Sequence, residues 1–120
     1  MTNFEMVKEF HKAMGLPIGG FAQFTTPAAI ARRNRLMLEE LSEYNKAVSE
    51  CDLLEIADAL GDLLYVVYGS GIEHGFDMDK IFKEIHRSNM TKSEGKLDRS
   101  GKLIKPDNYE APNLNFLLEE

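Results

Sequence analysis

The run EIADALGDLLYVVYG, residues 55 to 69, restricts this chain more than any other stretch. It is mostly apolar, yet Glu55, Asp58 and Asp62 recur in it at spacings of three and four. At about 100° per residue these spacings place the three acids within about 60° of one another on a helix. A charged carboxylate costs several kcal/mol to bury unless something compensates it. Either this face is solvated, or a cation sits against it. Solvation suits Glu55 and Asp58, at the start of the helix, where acids also favour its dipole. Asp62 is harder to accommodate. It is the one charge between Asp58 and Glu73, with Tyr65, Val66 and Gly69 on or near its side. A cation partner for Asp62 is the better expectation.

The periodicity around this run predicts an all-α protein, a bundle of four to five helices that oligomerises, with an irregular C-terminal tail. A first helix spans about 3 to 14, with Phe4, Val7, Phe10 and Met14 at helical spacing and Gly15 as its stop. Residues 15 to 25, GLPIGGFAQFT, read as a glycine-bearing loop. Thr26 followed by Pro27 is a favoured start pair for a second helix running to about Ser49. In it Ile30, Met37, Leu41, Tyr44 and Val48 form one stripe. Asp52 caps a third helix, about 53 to 73, whose second half is apolar nearly all round and therefore central. Asp77 caps a fourth, about 78 to 90, with Ile81, Phe82 and Ile85 inward. From Gly95 onward turn residues dominate, and SGK marks a turn between two short extended pieces. No strand–helix alternation is present, which argues against an α/β sheet. The expected organisation is one domain over 1–120, with a helical bundle over 1–95 and a tail over 96–120.

Composition removes several function classes. The net charge is −6, from 20 acidic against 14 basic residues, and no basic stripe offsets it, so nucleic acid is not expected as a partner. Cys51 is the single cysteine, which rules out an intramolecular disulfide and favours a reducing, cytoplasmic setting. The N-terminus MTNFEMVKEF shows no basic stretch followed by an apolar run, so no leader is expected. Nor does any apolar run approach the roughly 20 residues of a membrane span, so no membrane partner is expected.

Two further clusters carry chemistry. LEELSEY on the second helix holds Glu39, Glu40 and Glu43 as E-E-x-x-E, with like charges at helical neighbour spacing that cost a few tenths of a kcal/mol each. Taken alone this is a solvated acidic face. Together with the third helix it offers carboxylates from two helices and no adjacent His or Cys, the donor set of a hard cation such as Mg²⁺ or Mn²⁺. HRSNMTK, residues 86 to 92, supplies Arg87, Asn89 and Lys92, with Lys102 and Lys105 in the tail. These are donors suited to phosphate oxygens, although cations at a helix end also simply complement its dipole. Phe10, Phe21 and Phe24 offer aromatic faces for a base, but core packing is the plainer expectation for each. The scattered His11, His74 and His86 read as surface or internally satisfied groups.

EELSE, EIADALGDLLYVVYG, and HRSNMTK with the following GKLIKPDNY together resemble the all-α nucleoside triphosphate pyrophosphohydrolases. The likeness covers roughly residues 4 to 112 and is closest to the MazG-like and phosphoribosyl-ATP pyrophosphohydrolase-like branch, some members of which act on dUTP. The resemblance implies a Mg²⁺-dependent enzyme, with Mn²⁺ as a substitute, that converts a nucleoside triphosphate and water into the monophosphate and diphosphate. Removal of dUTP or another non-standard nucleotide is the implied purpose. It implies metal ligands at Glu39, Glu40 and Glu43, and from an E-x-x-D on the next helix. Glu55-x-x-Asp58 matches that motif literally, whereas the apolar context after the family's Asp belongs to Asp62, with Ala59 where the glutamate should be. Glu39 and Glu40 are the catalytic candidates. Glu40, Glu43, Asp58, Asp62 and Glu55 are the metal candidates, and Arg87, Asn89, Lys92 and Lys105 the substrate-binding ones. The resemblance also implies a homodimer or dimer of dimers, which agrees with the apolar third helix. Two alternatives stay open: phosphoribosyl-ATP hydrolysis in histidine biosynthesis, and a non-catalytic helical dimerisation or metal-binding module.

Overall fold

The computed structural model describes residues 1–92, 96–104 and 106–119. Among the described residues four α-helices form: α1 (Asn3–Met14), α2 (Pro27–Ser49), α3 (Leu53–Glu73) and α4 (Met78–Met90). Their ends follow local chemistry. The Thr2 hydroxyl accepts from Glu5 N–H while the Glu5 carboxylate accepts from Thr2 N–H, a reciprocal cap that opens α1. Thr26 accepts from Ala29 N–H with Pro27 in the first turn of α2, and Asp52 accepts from Glu55 N–H at the start of α3. The chain divides into two compact units, Met1–Asp77 and Met78–Glu120.

In the first unit α3 is the shared element, packing against α1 and α2. The α2–α3 pair is antiparallel: Arg33, early in α2, meets Glu73 at the end of α3. The loop after α1 ties the C-terminal end of α3 down. Gly19 N–H donates to Ile72 O (2.9 Å), Gln23 N–H to His74 O (2.9 Å), and His74 Nδ1 to Gln23 O (2.8 Å). Gly75 lies in this crossing with φ +76°, and a Cβ there would run into the Phe21 carbonyl, so a side chain is excluded twice over.

The apolar core of the single chain is small. Val7, Ala47, Ala59 and Ile72 are its buried hydrophobic residues among those described. Several expected core positions are open instead. Ile30, Leu41 and Val48 of the α2 stripe are exposed, as are Phe10 and Met14 of α1, and Phe21 and Phe24 of the loop. Leu53 and Leu54 of α3 are 80% and 83% exposed, with Leu60, Leu64 and Tyr65 also open. The reason is geometric: an all-round apolar helix has more surface than α1 and α2 cover.

The second unit is α4 with a folded tail. Strands β1 (Lys96–Leu97) and β2 (Leu103–Ile104) pair antiparallel, Lys96 opposite Ile104 and Leu97 opposite Leu103. The turn between them is held by the Asp98 carboxylate, which accepts from Ser100 N–H and Lys102 N–H, both at 2.9 Å. Residues 109–116 return along α4. Ser88 Oγ donates to Glu110 O (2.7 Å), Glu110 N–H to Thr91 Oγ1 (2.9 Å), and Asn113 N–H to Glu84 Oε2 (2.7 Å). Ile81 and Ile85 are half-buried in this unit, but Phe82, expected inward, is 67% exposed.

Candidate active site

α2 and α3 present their acids to each other across the antiparallel seam. Glu40 is half-buried; Glu39 and Glu43 flank it on the exposed surface of α2. Burial, and after it the charges of Asp62, Glu43, Asp58 and Glu39, hold the Glu40 carboxyl above the ordinary carboxylate range. Five of the six acids singled out from the sequence therefore share one electrostatic environment. Glu55 is not among the charges acting on Glu40; it stands in the first turn of α3, its N–H on the Asp52 cap. No lysine or arginine among the described residues forms an ion pair with any of the six.

Asp62 does not occupy the buried position expected for it. Asp62 is exposed on the single chain and bears no large desolvation cost there. What marks it is like-charge crowding against Glu40. Among the described residues no three carboxylate, imidazole or thiol groups are drawn tightly enough to enclose a metal ion. The acids face one another without converging. Their chemistry still fits a hard divalent cation: oxygen donors from two helices, no ion pair to an ammonium or guanidinium among the described residues, and a mutual repulsion that such a cation would relieve.

The buried carboxylate of α3 is Glu73, which the motif reading passed over. Its side chain is 3% exposed and held by two arginines, Arg32 Nη2 to Oε1 (3.0 Å) and Arg33 Nη1 to Oε2 (3.1 Å). Arg33 also donates from Nε to Ser70 Oγ (3.1 Å) and from Nη2 to Val66 O (2.7 Å). Burial lowers the Arg33 pKa and the Glu73 charge acts against that, leaving the guanidinium charged. A Cβ on Gly69 would overlap Arg33 Nη2 and come within 3.0 Å of His11 Nε2, so only glycine admits the guanidinium here. His11 is buried and donates from Nδ1 to Pro17 O (2.9 Å), a satisfied internal histidine. The signal for this cluster was present in the sequence: Glu73 is the next charge after Asp62 on an apolar helix. The desolvation argument applied to Asp62 belongs to Glu73.

The donors of HRSNMTK lie in the second unit. Arg87 forms a two-pronged pair with Glu84 (2.7 and 3.0 Å) and reaches Glu110 at 3.2 Å. Those bonds hold the Glu84 carboxyl down at about 2 and the Arg87 guanidinium above its usual range. Lys92 places its ammonium 5.2 Å from the Tyr109 ring centroid. Asn89 is exposed, as is Lys102, while Lys105 falls outside the described residues. No helix among the described residues is long and apolar enough to cross a membrane.

Comparison with known proteins identifies the family. The family model for phosphoribosyl-ATP pyrophosphohydrolase matches residues 7–89, a span that contains Glu39, Glu40, Glu43, Glu55, Asp58, Asp62 and Glu73 as well as Arg87 and Asn89. A protein of Acanthamoeba polyphaga mimivirus, named Uncharacterized protein L479, is 40% identical over 82 residues, 65% of this chain. That stretch is 33% of the viral protein, so this chain corresponds to about a third of its relative's length. The chain belongs to the phosphoribosyl-ATP pyrophosphohydrolase family, within the MazG-like all-α pyrophosphohydrolases.

Proposed function

We propose that this protein hydrolyses a nucleoside triphosphate to the monophosphate and diphosphate in a Mg²⁺-dependent reaction, with Mn²⁺ able to substitute. The observation that carries the reading is the crowding of Glu40 by Asp62, Glu43, Asp58 and Glu39, with no basic side chain among the described residues paired to any of them. A solvated acidic face would not gather carboxylates from two helices against a half-buried one. When bound, the divalent ion neutralises phosphate charge and lowers the pKa of a coordinated water. Glu40, Glu43, Asp58 and Asp62 hold it, and Glu55 belongs to the outer part of the set. Glu39, exposed beside them on α2, accepts the proton of the attacking water. Arg87, Asn89, Lys92 and Lys105 bind the phosphate oxygens. For Arg87 this means exchanging its Glu110 partner for a phosphate.

The open apolar surface of α2 and α3 supports a two-fold homodimer or a dimer of dimers. The active site is then shared, acids from one subunit and phosphate donors partly from the other. Mixing Asp62→Asn with Lys92→Ala chains should restore part of the activity. Removal of dUTP or another non-standard nucleotide, in the cytoplasm, is the role this reading favours.

The test is a panel of ribo- and deoxynucleotides together with phosphoribosyl-ATP, read by Mg²⁺-dependent diphosphate release. Release from at least one free triphosphate is the expected result. Activity on phosphoribosyl-ATP far above that on every free triphosphate would replace the substrate assignment, and release from none would remove the enzyme reading.

A further inference from the structure

The α2–α3 seam has two polar meeting points, and their spacing ties them together. Arg33 and Glu40 are seven residues apart on α2; Glu73 and Asp62 are eleven apart on α3. At about 100° per residue both separations return to the same helix face within about 20°, two and three turns away. The Arg33–Glu73 cluster and the Glu40–Asp62 pair therefore lie on one seam. The buried apolar residues contributed by these two helices are Ala47, Ala59 and Ile72, and the two alanines offer little steric resistance to sliding. A slip of one turn would displace the acids by about 5.4 Å. Repulsion among the carboxylates favours such a displacement. Arg33 opposes it, because a single planar fork is bound at once to Val66 O, Ser70 Oγ and Glu73 Oε2, spanning two turns of α3.

We propose that Arg33 and Glu73 are positioning residues, a clamp that fixes the register of α2 against α3 so that Glu40 and Asp62 stand opposite each other for a divalent cation. The proposal rests on the reading of the acids as a cation site. Gly69 is part of the device, since it lets the guanidinium lie against the α3 backbone.

The test compares Arg33→Lys, which keeps the charge but loses the fork, with Glu73→Gln and Ser70→Ala. Val7→Ala, a buried change outside the clamp, is the control for general loss of stability. Mn²⁺ affinity is read from the free-ion paramagnetic resonance signal, and kcat and KM from diphosphate release. Arg33→Lys is expected to weaken Mn²⁺ binding about tenfold and to lower kcat by about as much, because the acids are displaced from one another although Arg33 touches none of them. Ser70→Ala, which removes one of the three bonds that Arg33 makes to α3 along with the hydroxyl's own bond to Val66 O, should give a smaller loss of the same sign; with Arg33→Lys it carries the test if Glu73→Gln does not fold. Val7→Ala should stay near wild type in both quantities despite a lower melting temperature. Wild-type Mn²⁺ affinity and kcat in Arg33→Lys would overturn the clamp, as would an equal loss in Val7→Ala. A wild-type chain that neither binds Mn²⁺ nor releases diphosphate would instead bring down the pyrophosphohydrolase reading, and the clamp's role with it.

Discussion

The two ends of α3 treat carboxylates in opposite ways. At its C-terminal end Glu73 is buried, and two guanidinium groups compensate it, that of Arg33 lying against Gly69. Three turns and more toward the N-terminus, Asp62 and Asp58 face Glu40, and no basic side chain among the described residues is paired with any of them. The first arrangement is finished: removing either partner leaves a buried charge. The second is unfinished without a cation from outside the chain. Two sets of acids on one helix thus separate into structure and chemistry according to whether the protein neutralises them itself.

The sharpest way to break this comparison is to neutralise one acid of each kind. Glu40→Gln or Asp62→Asn should abolish Mg²⁺-dependent diphosphate release, a loss on the order of a hundredfold or more in kcat, while the metal-free melting temperature holds or rises as repulsion is relieved. Glu73→Ala should do the reverse in stability. Breaking a buried pair costs about 3–5 kcal/mol, which urea unfolding would register directly. The paired replacement Arg33→Met with Glu73→Leu should recover most of that loss, because no charge is then left buried.

A third comparison uses pH. The ionised form of Glu40 is disfavoured in the folded state, so its contribution is neutral at low pH and turns unfavourable as pH rises above the ordinary carboxylate value of 4.5 through its own. A bound cation relieves that cost. The Mg²⁺-induced rise in melting temperature is therefore expected to be larger at pH 7 than at pH 4.5. An equal rise at both would contradict the crowding.

The smallest expected effect lies in the second unit. The Glu84 pKa is depressed to about 2 by its bonds to Arg87 and Asn113, so its contribution is complete above about 4.5 and lost as pH falls toward 2. The pair is exposed and the global melting temperature should barely move. The Asn113 amide, which donates to Glu84, should shift over that window in an NMR titration, and Glu84→Gln should remove the shift.

The helices were legible because their caps and periods agree. Thr26–Pro27 and Asp52 announce starts that the hydrogen bonds of the folded chain repeat, and SGK announces the turn between β1 and β2. Burial was less legible. Helical period tells which residues share a face, not whether a neighbour covers it: Leu41 and Val48 share the stripe on α2 and Phe82 has the spacing of an inward residue, yet all three are open. The clamp was missed for a related reason. Arg33 and Glu73 are forty residues apart, and only the antiparallel pairing of α2 and α3 brings them together. The family motifs drew attention to the acids that would hold a metal and away from the acid that holds the helices.

Paramagnetic broadening by Mn²⁺ tests the central claim most directly, with backbone amides of the wild-type chain followed at substoichiometric metal. The account predicts early, localised broadening around residues 39–43 and 58–62, reversed by excess Mg²⁺, while the amides around Glu73 stay sharp. Weak, even broadening over all surface acids, or an onset centred on Glu73, would contradict it.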